Sequence, residues 1–231
     1  MGKMLDDFEN YIKELEKFSI PEYSELPDIP LYMEQVVGYI KENLSNIFKE
    51  TDSVITPFMV NNYVKAKIID SPTDKKYNKD HIGYLIAISM LKSVVSMRDL
   101  AVLIDLDRQQ DPKDSKKSLY DFYKKMEDES FKNTIHKVKT RIDVFKKSSN
   151  QKKTKKSSQN VTDENERNSM AYIALRLYIE SEVNKLIADK IMSQLSNEIL
   201  PKRVLNETDI QKIDNKKTLM EAKKLSGRNK R

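Results

Sequence analysis

The chain has 231 residues, enough for one large domain or two small ones each with a modest core. With 34% charged residues, only 4 glycines and a mean hydropathy of −0.69, it suits surface-rich helices better than sheets or glycine-rich phosphate loops. Cysteine is absent, which excludes a disulfide framework, a thiolate nucleophile and any cysteine-based zinc or iron–sulfur site, and the net charge of +6 only hints at a polyanionic partner.

Residues 4–18 place Leu5, Phe8, Ile12 and Leu15 three or four apart with Asp6 and Asp7 near the start, which predicts an amphipathic helix. The start lacks the basic-then-apolar order of a signal peptide and no apolar run is long enough for a bilayer, so a cytoplasmic protein without membrane association is expected. Pro21, Pro27 and Pro30 impose an extended connector, which places a boundary after residue 28. From Tyr32 to Phe48, Met33, Val36, Val37, Ile40, Leu44 and Ile47 form one helical face. Thr56 is a good N-cap and Pro57 fits the first helical position, so a short helix is predicted from Pro57 to Lys65. Residues 70–77 are turn-rich and basic, Asn78 caps the next helix, and Ser96 caps another with Leu100, Leu103 and Ile104 inward.

Beyond Asp111-Pro112, Phe131, Ile135, Val138, Ile142 and Phe145 are spaced 4, 3, 4 and 3, a seam that calls for a partner helix. Its apolar character predicts a homodimer through this face. Residues 146–160 contain no apolar side chain and read as a flexible basic linker. The apolar residues from Met170 through Leu195 describe a long buried helix within 161–200, and 201–231 read as a basic tail.

The helices and basic turn between Thr56 and Ile104 follow the order of a helix-turn-helix with a small wing, and here the sequence resembles a known family. Val60-Asn61-Asn62-Tyr63-Val64-Lys65-Ala66-Lys67-Ile68-Ile69 is similar to the Leu-Arg-x-Tyr-x-x-x-Gly-Leu-Leu segment of mercury-resistance-regulator (MerR) proteins, and Lys75-Lys76-Tyr77 to their Arg-x-Tyr wing motif. More closely, the region from Ile29 to Leu106 resembles a bacterial domain family of unknown function presumed to be MerR-like. Its marks, Met-x-Asn-x-Tyr-Val-Lys, Lys-Lys-Tyr-x-x-x-His-Ile and Leu-Lys, stand here as Met59 to Lys65, Lys75 to Ile82 and Leu91-Lys92. Asn61 replaces the larger family's Arg and Lys67 its Gly, so phosphate contacts of that Arg do not carry over.

The resemblance implies a mainly α fold with a small wing: a winged helix-turn-helix at 29–106, followed by a helical module with a dimerisation or partner segment at 107–145. It implies a transcriptional regulator of double-stranded DNA. On chemical grounds, Asn61 and Asn62 are candidates for base contact, because an amide can pair bidentately with adenine in the major groove. Lys65, Lys67, Lys75, Lys76 and Lys79 are candidates for phosphate contact, and Tyr63 and Tyr77, beside apolar neighbours, for scaffold. His81 reads as a first-turn surface residue or a hydrogen-bonding partner of the wing, and His136 as solvated; neither has a second ligand nearby, so no metal or other cofactor is expected. Nothing resembles a catalytic constellation, so the chain does not read as an enzyme. The alternative is a helical interaction adaptor that keeps the winged-helix fold without the DNA surface.

Overall fold

In the computed structural model, which describes residues 3–48, 54–110, 115–152 and 159–199, the chain is mainly helical. Helix α1 spans Lys3–Lys17, α2 Met33–Leu44, α3 Pro57–Lys65, α4 Lys79–Leu91, α5 Met97–Gln110, α6 Ser115–Lys152 and α7 Gln159–Ile199. Strands β1 (Leu31–Tyr32) and β2 (Lys76–Tyr77) pair antiparallel, with Leu31 opposite Tyr77 and Tyr32 opposite Lys76.

Three of the helix starts are set by side chains that serve amides lacking an intrahelical partner. The Thr56 hydroxyl accepts from the Met59 amide at 3.2 Å, with Pro57 occupying the first position. Asn78 accepts from the His81 amide at 3.1 Å, and Ser96 from the Asp99 amide at 3.1 Å.

The larger core gathers Ile20 and Leu26 of the connector, Ile40 and Leu44 of α2, Val60 and Tyr63 of α3, Tyr77 of β2, Ile82 and Leu85 of α4, Leu100 of α5 and Tyr120 of α6. Helix α4 is buried over most of its length because its apolar residues occupy all sides, so the other elements wrap around it. This core draws on both sides of residue 29 and reaches into α6. The Tyr120 hydroxyl donates to the Pro21 carbonyl at 2.9 Å, and the buried Lys124 ammonium reaches Ser19 at 3.0 Å, Asp128 at 2.8 Å and Glu22 at 3.1 Å. A connector rich in proline is thereby held along α6 by polar contacts.

The second core lies where α1, α6 and α7 meet, with Leu5, Ile12, Ile135, Val138, Ile142 and Ile173 buried and Phe131 and Phe145 packed against them. The seam from Phe131 to Phe145 therefore finds its partners inside its own chain, and the expectation that a second copy covers it is corrected. Charged pairs close the margins: Lys139 with Glu16, Lys146 with Glu9, and Arg141 with Glu180 at 2.6 Å.

Two further expectations change. Helix α6 continues to Lys152, so residues 146–152 are helical although they carry no apolar side chain; of the expected linker, 153–158 lie outside the described residues, as does the tail at 201–231. Helix α7 was expected to be buried throughout, yet among its described large apolar side chains only Ile173 is buried, with Met170, Leu177, Met192 and Leu195 partly so. Tyr172, Leu175, Tyr178, Ile179, Val183, Leu186, Ile187 and Ile191 are exposed. Apolar residues populate more than one face of this helix, and a helix packed from one side covers one face. Among the described residues no helix is long and apolar enough to cross a membrane.

Candidate nucleic-acid interface

Helix α3 has two faces with different chemistry. Val60 and Tyr63 are buried, and burial pushes the Tyr63 phenol up to about 12. Asn61 and Lys65 are exposed, and Asn62 is half-buried. A helix of nine residues is marginal by itself, and both of its ends are secured. The Thr56 cap holds the start. At the end, the Lys67 amide donates to the Val64 carbonyl at 3.0 Å and the Ile68 amide to the Tyr63 carbonyl at 2.9 Å, with Lys67 in the left-handed region at φ 55°. This is a Schellman closure, in which the residue after the cap turns left-handed and the next one, the buried Ile68, anchors it. Lys67 thus adopts a conformation that glycine tolerates at lower cost, at the position where the resembled segment has Gly.

The expected turn over 70–77 is a tight hairpin. The Lys76 amide donates to the Thr73 carbonyl at 2.8 Å, and Asp74 and Lys75 between them have φ of 49° and 63°. Two consecutive positive φ values define a type I′ turn, whose twist matches that of paired strands. Lys75 stands exposed at its tip. Lys76, half-buried, lies 5.1 Å from the ring centre of Tyr32 across the β1–β2 pair.

The lysines anticipated as phosphate contacts are therefore not equivalent. Lys65, Lys67 and Lys75 are open to solvent. Lys76 faces the Tyr32 ring, and Lys79 pairs with Asp28 at 2.6 Å, donates to the Ser24 carbonyl at 3.3 Å and lies 5.2 Å from the ring centre of Tyr23. Asp70 and Asp74 are exposed in the same stretch of chain, so the surface is basic but not uniformly so.

Tyr63 and Tyr77 are both core residues. His81 is buried rather than at the surface: its Nδ1 accepts from the Asn78 amide at 3.1 Å, and its ring meets Tyr77 edge-on at 5.5 Å. The reciprocal Asn78 and His81 bonds make a capping box that locks the end of β2 to the start of α4. Its signal, a capping Asn three residues before a side chain able to accept, is visible in the sequence. His136 is exposed, and no group of three or more His, Asp or Glu side chains able to hold a metal ion occurs among the described residues.

One feature without an evident sequence signal is an open groove of about 550 Å³ between the connector and α2, lined by Ser19, Pro21, Glu22, Tyr39, Asn43 and Lys124. It is polar and holds no arranged nucleophile and base.

The core that carries α3 and the hairpin runs from Ile20 to Tyr120, and the same stretch is what comparison with known families singles out. Residues 21–126 match the model of a family described as Domain of unknown function (DUF1836). No curated protein and no solved structure matches the chain. The DUF1836 region thus takes in the connector, α2 to α5 and the first part of α6, and it stops short of the seam that packs on α1 and α7.

Proposed function

We propose that the chain binds double-stranded DNA in a sequence-specific manner as a transcriptional regulator, with the DUF1836 region acting as a MerR-like winged helix. The observation that carries this reading is helix α3, secured at both ends and buried through Val60 and Tyr63, which leaves Asn61 and Lys65 outward and is followed by a hairpin tipped by Lys75. A helix fits the major groove of B-DNA, about 12 Å wide, where an Asn amide can pair with adenine N6 and N7. Lysines on the helix end and the hairpin tip supply charge for phosphates on either side. In this role β1 and β2 hold the hairpin as a wing, and the tyrosines at 63 and 77 are scaffold rather than contacts. The lysine assignment narrows to Lys65, Lys67 and Lys75, because Lys76 and Lys79 already face intrachain partners.

The test is selection of bound duplexes from a random library, followed by fluorescence anisotropy on a selected and a scrambled duplex at several salt concentrations. A selected sequence that binds at least tenfold tighter than the scrambled one supports the proposal. Failure to bind any duplex at low salt overturns it and favours the interaction adaptor.

A further inference from the structure

Phe58 is the first side chain that the open face of α3 presents, and it is apolar. The residue is 46% exposed, on a helix whose two ends are both secured. At about 100° per residue, the buried Val60 and Tyr63 lie about 200° and 140° round the helix from Phe58, so the buried direction is centred near 170°. Asn61, Asn62 and Lys65 fall at about 300°, 40° and 340°, which places all three with Phe58 in one arc opposite the core. Phe58 and Lys65 stand on the outermost line of the helix.

Neither helix formation nor the core accounts for an apolar residue at this position. Pro57 fills the first helical position and the Thr56 hydroxyl caps the start, so the second position requires only a helical backbone. The core takes Val60 and Tyr63 from this helix, with Met59 and Val64 packed partly against it, and Phe58 is not among them. The centre of a protein–protein interface gathers apolar side chains, whereas the neighbours of Phe58 on this face of α3 are two amides and a lysine.

That mixture matches the major groove of DNA. Each base pair presents donors and acceptors there, and thymine alone adds an apolar group, its C5-methyl. A phenyl ring gains contact with that methyl, while over another base it would cover a polar edge that it cannot bond. Residues near the start of a helix laid in the groove are those that reach base edges. Phe58 precedes Asn61 by three residues, a rise of about 4.5 Å against about 3.4 Å between base pairs, so on such a helix it would fall over the base pair beside the one that Asn61 meets.

We infer that Phe58 is a specificity-determining residue, which reads the C5-methyl of a thymine next to the base pair contacted by Asn61. The inference rests on the DNA-binding reading above and adds to it which base is read beside Asn61, and through which group.

The test uses the full chain and a duplex obtained by the selection already described. Each thymine is replaced singly by deoxyuridine, which removes the methyl and leaves the pairing edge intact. By fluorescence anisotropy the native chain should lose about fourfold in affinity at one such position, the worth of one buried methyl. That position should lie one step from the base pair whose identity Asn61→Ala no longer senses. For Phe58→Ala the same replacement should leave affinity unchanged, and Phe58→Leu, still apolar, should keep part of the preference. Circular dichroism checks that Phe58→Ala retains native helicity; if it does not, Phe58→Gln, which keeps most of the side-chain length, takes its place. No loss at any thymine, or an equal loss in the native chain and in the variant, overturns the inference and leaves the DNA reading standing. Failure to select any duplex overturns both.

Discussion

The ring of Tyr120 closes directly over Gly83. A Cβ at position 83 would stand 3.0 Å from Tyr120 Cδ2 and 3.3 Å from Cγ, with Leu26 Cδ1 at 3.5 Å. The ring has little room to retreat, because its hydroxyl is bound to the Pro21 carbonyl and the residue is buried. This close approach is what lets the first part of α6 lie against α4.

Gly83→Ala is therefore expected to destabilise the fold by about 1 kcal/mol: overpacking costs about 1–3 kcal/mol, and the better helix propensity of Ala returns up to about 1. Gly38, on the exposed side of α2, has nothing within 4 Å of its would-be Cβ. Gly38→Ala should stabilise by about 0.5–1 kcal/mol. Urea denaturation of the two variants should move the midpoint in opposite directions.

Lys67 and Lys75 carry positive φ without being glycine. Lys67→Gly should raise stability by about 0.5–1 kcal/mol, since glycine reaches this region without the Cβ penalty. Asp74→Asn with Lys75→Gly, the pair that type I′ turns favour, should do the same for the hairpin. Thermal unfolding checks both. On the proposed DNA reading Lys67→Gly also removes a positive charge, so a more stable fold that binds DNA less tightly is expected of it, whereas Asp74→Asn with Lys75→Gly removes one charge of each sign and leaves the net charge unchanged.

Glu127 of α6 is buried, and its Oε1 has no hydrogen-bond partner. Burial, with the nearby Asp128 charge, pushes its carboxyl up to about 7 against the opposing pull of Lys124. The native state then binds this proton more tightly than the unfolded chain, whose carboxyl titrates near 4.5. The stability it confers is present below the unfolded value and is lost as pH rises towards about 7. Glu127→Gln should remove that loss. It should stabilise the protein by about 1–3 kcal/mol at pH 8 and by little at pH 4.5, read as the difference between the two proteins in urea denaturation.

Asn61 and Lys65 lie on the same open face of α3 and separate readout from attraction. If Asn61 reads a base edge, Asn61→Ala should cost about 1–3 kcal/mol on a selected duplex and leave scrambled DNA nearly unaffected. If Lys65 contacts a phosphate, Lys65→Ala should weaken both duplexes alike and lower the salt-dependence slope by about one. Lys79→Ala should instead lower stability modestly through loss of its Asp28 pair and leave that slope unchanged. Anisotropy titrations at several salt concentrations distinguish the three.

What the sequence by itself determined is local. The starts of α3, α4 and α5 follow from Thr56 with Pro57, from Asn78 and from Ser96, because a cap bonds an amide three residues away and needs nothing from the rest of the chain. Periodicity likewise marked the buried side of α1 and α2 and the seam on α6, since a helix puts residues three and four apart on one face. The turn was legible at residues 70–77, but its type was not: neither Asp74 nor Lys75 is the glycine that usually announces a type I′ turn, and the pairing of β1 with β2 holds them there. Tertiary structure decided which apolar face meets which. The same kind of spacing on α6 and α7 ended as a buried seam in one and an open stripe in the other, because α1 returns to cover α6 and nothing described covers that side of α7. It also decided which lysines remain available. Lys79 resembles Lys75 in the sequence, but Asp28, distant along the chain, takes its charge, and burial and pairing depend on neighbours that only the folded chain brings together.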